Sequence, residues 1–567
     1  MSSTAGWFAR PPVRIKTSAG EKALGAATVL VAAFLVIGLA APLALMLGRS
    51  FQSASGDFTG LANYAAYFAS GAPATSIWNT LVIGVVSTLV TIPLAFGYAY
   101  AIERTNIPLK PLLRSIALIP LVTPSLLFAL SLVQLFGNNG LLKDLLFGQT
   151  IYGPLGIVVG MTFAHFPHTF MVISTALSLT DGRLYEVAES LRTSPTRTFF
   201  TLTLPGAKYG LISASIISFM LSITDFGIPK VIGGQFNVLA TDIYKKVIGQ
   251  QDFETGAVVS VILLLAAAAA FAAVRLVQRR QVAMMSARAV PHRPRRDLRR
   301  DSIFLVFCAA IAFAIVGILA VAAVSSFIRF WPYNMSLTLK HYNFDLAAGG
   351  GWQSYWNSLK LSGLVAVFGT AIVFLGAYLV EKTRGWTRTR RLVQVLAATP
   401  MAVPGLVLGL AYIFFFNKPG NPLNFLYGSM AILVLVTIVH YYSVTHFTMV
   451  TALKQIDPEF ESVSDSLKAS RLRTLWRVTV PLCMTAILDV SMYFFLAAMT
   501  TVSAVVFLYS SRTHLASIAV LNMDDAGEFA YAIAMAMVIV ATCMAAKVLH
   551  WLLTRGILRR SQAWRAP

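Results

Sequence analysis

The chain has 567 residues, 57% of them hydrophobic and 12% charged, and a formal net charge of +22. Such a composition, with a mean hydropathy of +0.71, excludes an ordinary soluble domain and points to a polytopic membrane protein. The excess of cations does not require a nucleic-acid partner if the cations lie in alternate loops, and they do.

A hydrocarbon core about 30 Å thick takes roughly 20 apolar residues per helix, and that rule finds six spans in each half of the chain. In the first half they fall at 23–47, 79–102, 113–136, 155–178, 210–228 and 255–277; in the second at 303–327, 357–380, 392–416, 428–452, 485–509 and 529–553. The first stretch is too long for a signal-peptide core and reads as a retained helix. An even number of spans per half makes the halves parallel repeats about an axis along the membrane normal.

Arg10, Arg14, Lys16 and Lys22 precede the first span, and Arg104, Lys110 and Arg114 join the second to the third. The stretch from Arg275 to Arg300 joins the halves, and Arg384, Arg388, Arg390 and Arg391 follow the eighth span. Lys and Arg collect on the cytoplasmic side, so both termini are expected there. The domains are then 1–290, a basic linker 291–300, and 301–567. Cys308, Cys483 and Cys543 all sit in apolar stretches without ligand or pairing spacing, and are read as packing residues.

Between spans four and five the chain reads Glu186-Val187-Ala188, Ser190-Leu191-Arg192-Thr193-Ser194, Arg197-Thr198 and Leu204-Pro205. Between spans ten and eleven it reads Ser466-Leu467-Lys468-Ala469-Ser470, Arg473-Thr474 and Val480-Pro481, displaced throughout by 276 positions (Arg197 to Arg473, Pro205 to Pro481). Each copy reads as two short helical stretches with a break between them, a helix-turn-helix elbow facing water. Pro205 and Pro481 are expected to mark entry into the next span.

This pattern resembles the EAA loop of the membrane subunits of ATP-binding-cassette (ABC) importers, in which a short coupling helix docks into a groove of the ATPase. Glu186, Val187 and Ala188 fit the first copy, with Arg192 where that family usually carries Gly. The second copy has Ser462, Val463 and Ser464 there, with Glu461 one residue early and Lys468 at the Gly position. The resemblance implies an all-α permease of the type I importer class, with both transmembrane domains in one polypeptide of about twelve helices. The coupling residues it implies are Glu186, Ala188, Arg192, Arg197, Pro205, Glu461, Lys468, Arg473 and Pro481.

It further implies two copies of a separate ATPase, which bind ATP and Mg, a periplasmic or surface-tethered substrate-binding protein, and a place in a bacterial inner membrane. The chain itself has no Gly-x-x-x-x-Gly-Lys-Ser/Thr loop, so no cofactor of its own is expected. Its contribution is two conformations with different access, not bond-breaking chemistry.

Ionisable groups within spans are costly and are functional candidates by default. Asp225 closes span five and maps by the same displacement onto Thr501. In related importers the fifth helix lines the central path, so Thr224, Asp225, Thr500, Thr501 and Ser503 are the path candidates; the competing reading makes Asp225 a cap for the segment before Pro229. Asp489 in span eleven reads as path or helix-pairing residue. His165, His168, His440 and His446 read as packing rather than metal ligands.

The segments from Asp225 to Lys245 and from Val502 to Gly527 look like those of fused permeases assigned to 2-aminoethylphosphonate uptake. Ferric-iron permeases share the fused layout, polyamine and thiamine carriers are further alternatives, and a twelve-helix secondary transporter is a distinct class that gives no reason for a repeated elbow.

Overall fold

The computed structural model describes residues 19–284, 294–383, 385–457, 459–467 and 469–561. Helices dominate. In the first half, α1 is Lys22–Arg49, α2 Pro73–Arg104, α3 Lys110–Val122, α4 Ser125–Phe136 and α5 Pro154–Ser178. The elbow helix α6 is Gly182–Ser190. Then come α7 at Pro195–Thr224, two short helices α8 and α9 at Gly227–Ile232 and Leu239–Tyr244, and α10 at Phe253–Gln278.

The second half repeats this order. It begins with α11 at Leu298–Ser326, followed by a two-stranded hairpin of β1, Ile328–Phe330, and β2, Asn334–Leu337. Next are α12 Gly351–Lys382, α13 Thr387–Ala402, α14 Gly405–Phe416 and α15 Met430–Lys454. The second elbow helix α16 is Glu459–Ser466. It is followed by α17 Arg471–Leu482, α18 Met484–Thr500, α19 Ala516–Asp525 and α20 Phe529–Gly556.

Among the described residues, nine helices are long and apolar enough to cross a membrane, and twelve spans result if each of three bent pairs is one span. The spans expected at 113–136 and 392–416 are each broken: α3 and α4 meet at 102°, α13 and α14 at 117°. The cause is local. Pro124 and Pro404 disfavour helical backbone at the residue before them, and Thr123 and Val403 are accordingly extended, at φ −112° and −105°. Spans five and eleven end earlier than expected, at Thr224 and Thr500, because Asp225 and Thr501 turn to extended backbone.

Pro205 and Pro481 do not begin helices. Each lies two residues past a π-helical turn, Phe199–Thr203 and Leu475–Thr479; in the first half the helix passes through to Thr224, whereas in the second it ends at Leu482 and meets α18 at 74°. A wider turn is one way for a helix to absorb the hydrogen bond that proline cannot donate.

The first helix of each half packs on the other half. Gly38 of α1 accepts a 2.7 Å hydrogen bond from the Tyr412 hydroxyl of α14, and a Cβ at Gly38 would lie 2.9 Å from Val439 of α15. In return Cys308, Ala312 and Ile315 of α11 complete the cluster formed by Tyr98, Phe166 and Phe170 of the first half. Asp301 at the start of α11 accepts from the Asn106 backbone at 3.2 Å. Burial of apolar surface therefore ties the halves together, and a single large core spans both.

Candidate functional site

The two elbows are built alike. Each elbow helix ends with the same pair of backbone bonds: Leu191 N to Val187 O and Thr193 N to Ala188 O in the first, Leu467 N to Val463 O and Ala469 N to Ser464 O in the second, all within 2.9–3.0 Å. Arg192 sits in the left-handed region at φ +52°. That conformation costs a residue with a Cβ roughly 1–2 kcal/mol and is the usual place for glycine at a helix C-terminus. The basic side chain thus occupies a glycine position without changing the turn; Lys468, its counterpart, lies outside the described residues.

Past the turn, Ser194 and Ser470 cap the following helices, their hydroxyls accepting from Arg197 N at 3.3 Å and Arg473 N at 3.4 Å. A serine cap of this kind is worth about 1 kcal/mol.

A cation pins each elbow to the bundle. Buried Arg104, the last residue of α2, donates to the Leu177 carbonyl at the end of α5, and its guanidinium lies 4.5 Å from the Tyr185 ring centroid. In the second half Lys382 of α12 takes that place: its ammonium is 3.4 Å from the Ile456 carbonyl and 2.8 Å from Glu461. Both cations satisfy carbonyls left open at a helix end. Glu461 therefore holds the position of Tyr185, facing inward to a largely buried lysine, whereas Glu186 is exposed and its counterpart is Ser462.

The outward faces carry what the sequence reading overlooked. Leu184, Val187 and Leu191 are exposed on the first elbow, and Phe460, Val463 and Leu467, each 276 positions later, are exposed on the second. Spacings of three and four residues place each trio on one helical face. Apolar residues at matching helical positions were the available signal. The two stripes match except that Phe460 stands for Leu184, and exposed apolar stripes of this kind are surfaces that a protein partner can cover. Exposed Glu189 also pairs with Arg295 of the linker, a surface contact of small energetic weight.

The path candidates separate into two sets. In the first half, Asp225 Oδ1 accepts from Ile228 N at 3.0 Å, capping α8, while Oδ2 lies 3.6 Å from His165 Nε2 on α5. Ser222 Oγ is 3.3 Å from His165 Nδ1. The cap and the pairing coexist in one carboxylate. Thr224 and Thr500 turn their hydroxyls back to Met220 and Leu496, at 2.8 and 3.0 Å, and so use their donors within the helix.

In the second half, displacement by 276 carries His165 to Tyr441 and Asp225 to Thr501. The pair is kept in place with changed chemistry: the Thr501 hydroxyl lies beside that of Tyr441 but outside full hydrogen-bond geometry. Ser503 has a packing role. A Cβ on Gly405 would lie 2.2 Å from Ser503 Oγ, and in the first half a Cβ on Gly227 would lie 2.7 Å from Ser125 Oγ. Serine and glycine have exchanged sides, since Gly227 corresponds to Ser503 and Ser125 to Gly405.

His168 of α5 and Tyr493 of α18 are polar side chains left exposed on membrane-spanning helices. Among the described residues, no group of three or more His, Cys, Asp or Glu is arranged to hold a metal ion.

Comparison with known proteins bears on what this architecture is for. Residues 91–283 and 372–559 each match the model of the family described as binding-protein-dependent transport system inner membrane component. The ferric transport system permease protein FbpB of Actinobacillus pleuropneumoniae is 28% identical over 507 residues, covering 85% of this chain and 71% of its own. A spermidine/putrescine transport system permease protein PotC homolog of Mycoplasma genitalium is 32% identical over 171 residues, 30% of this chain and 58% of its own. The molybdenum transport system permease protein ModB of Azotobacter vinelandii is 30% identical over 159 residues, 27% of this chain and 70% of its own.

Proposed function

The chain belongs to the family of binding-protein-dependent transport system inner membrane components, and from that premise we propose that it imports a small solute by taking energy from a separate ATPase through its two elbows. As an ABC importer permease it is a transport subunit, not an enzyme, and its family implies an ATPase and a substrate-binding protein as partners.

The observation that carries the coupling role is the pair of exposed apolar stripes, Leu184, Val187, Leu191 and Phe460, Val463, Leu467. Burying three such side chains against a partner is worth several kcal/mol, at about 1.5–3 kcal/mol for each fully buried one. One ATPase subunit would dock on each stripe. The elbows and both termini would then lie in the cytoplasm, on the side where the cations gather. Closure of the ATPase dimer would draw the elbows together, and Arg104 and Lys382 would pass that movement to α2 and α12. Replacing Val187 and Val463 together by Asp is expected to abolish co-purification of the ATPase while the chain still inserts and folds; undiminished co-purification would refute the coupling role.

For the solute, we propose 2-aminoethylphosphonate. The reading is supported by the resemblance of the segments from Asp225 to Lys245 and from Val502 to Gly527. Ferric iron is the second reading, favoured by the match of FbpB over 85% of this chain. Cells expressing the chain with its ATPase and binding protein are expected to take up labelled 2-aminoethylphosphonate; uptake of iron alone would reverse the assignment.

A further inference from the structure

The helix that follows the second elbow, α17 at Arg471–Leu482, meets α18 at 74°. In the first half the corresponding residues run straight into span five as part of Pro195–Thr224. α18 has 17 residues and so rises about 25 Å, most of a hydrocarbon core about 30 Å thick. With α18 crossing that core, α17 lies near the membrane plane at its elbow-side edge.

The faces of α17 are sorted. Leu475 and Thr479 are buried against the bundle. Leu472 and Trp476, one turn apart, are 51% and 68% exposed, and Arg473 and Arg477 are exposed on the strip beside them. Among the described residues, neither guanidinium is paired with an acidic side chain. Exposed arginines exclude hydrocarbon depth, and an exposed leucine and tryptophan are poorly served by bulk water. Both demands are met at the headgroup level, where tryptophan is enriched and a helix with an apolar strip beside cations lies flat.

The ATPase is the competing occupant of this surface. Features that serve docking of two like subunits would recur in both halves, as the elbow stripes do. Displacement by 276 carries Leu472 to Thr196 and Arg477 to Thr201, while Arg197 and Phe200 keep the character of Arg473 and Trp476. The complete strip, its second cation and the bend at its end belong to the second half alone.

We propose that the exposed face of α17 is a lipid-binding surface, in which Leu472 and Trp476 seat in the membrane interface and Arg473 and Arg477 hold the phosphate of an anionic phospholipid. Because α16 leads directly into α17, the surface fixes the height of the second elbow at the membrane. The first elbow has no such anchor.

The test uses the full chain in lipid nanodiscs. Cys308, Cys483 and Cys543 are buried, so L472C labelled with bimane reports on α17. Dibrominated phosphatidylglycerol and dibrominated phosphatidylcholine are compared as quenchers, at equal mole fraction in discs of phosphatidylcholine. The phosphatidylglycerol is expected to quench at least about threefold more strongly, with the excess falling as salt is raised. R477Q is expected to lose most of that excess, and R477K to keep it. Equal quenching by the two lipids, or an unchanged excess in R477Q, would overturn the headgroup site. Quenching by aqueous iodide with none by either lipid would overturn the interfacial placement. Loss of lipid quenching on addition of the ATPase, together with protection from iodide, would assign the surface to the ATPase instead. None of these outcomes bears on coupling through the elbow stripes, which V187D combined with V463D tests separately.

Discussion

Lys230 on α8 and Asp525 at the end of α19 approach to 2.6 Å, joining the first half to the second on the face opposite the elbows. The lysine also lies 5.3 Å from the Tyr244 ring, which stacks at 6.3 Å on Phe507 of the second half. Neither charge has a counterpart in the other half, so the closure is an asymmetric latch. K230D and D525K are each expected to weaken it and to raise ATP hydrolysis in the absence of binding protein. The double exchange, K230D with D525K, should restore most of the coupling; a double variant as impaired as either single would show that the pair does not act as a unit.

Asp524 beside the latch makes that closure pH-dependent. Burial, reinforced by the neighbouring Asp525 charge and opposed by Lys230, pushes its carboxyl up to about 7 from 3.8. An acid raised in the closed form stabilises that form while protonated, and the contribution is lost as pH rises through the raised value. Accessibility of a cysteine reporter on α8 is therefore expected to rise between about pH 4 and 7 in the wild type and to level off above that. D524N should flatten the profile, and a wild-type-like profile in D524N would assign the titration elsewhere.

Arg192 holds a left-handed conformation that glycine adopts without strain. R192G is expected to raise the thermal stability of the purified chain, by about 1 kcal/mol in the elbow, whereas R192V should lower it. A fall in stability with R192G would mean that the arginine side chain contributes more than its backbone costs.

Glu461 and Glu186 look equivalent in the loop but are placed differently. E461A leaves the largely buried Lys382 ammonium with one carbonyl partner, a loss of about 1–2 kcal/mol for this half-exposed pair. E186A alters an exposed side chain and should stay within about 0.5 kcal/mol. Chemical denaturation of the two variants in the same detergent distinguishes them, and equal losses would contradict the assigned contacts.

Ser503 and Gly405 form one half of an exchanged pair. G405S adds a side chain where Ser503 already sits, and overpacking of that kind costs about 1–3 kcal/mol. Adding S503G should recover most of the loss by recreating the arrangement of Ser125 with Gly227. A double variant as unstable as G405S alone would refute the packing.

Helix content, the even number of spans per half, the twofold repeat and the position of the elbows were all legible in the sequence. They depend on local composition and on periodicity, which act over one or two turns and survive without knowledge of neighbours. The family resemblance also put Arg192 at a glycine position, where the left-handed turn lies, but the caps at Ser194 and Ser470 emerged only from the fold. What only the tertiary structure decided is which residues meet: that α1 and α11 exchange halves, that Glu461 turns inward to Lys382, that Asp225 both caps α8 and pairs with His165, and that Asp489 lies beside His550. These relations join residues tens to hundreds of positions apart, and they are selected by packing of whole helices and by the cost of leaving a charge unpaired in an apolar interior. A pattern read along one helix carries no record of which neighbour meets that cost.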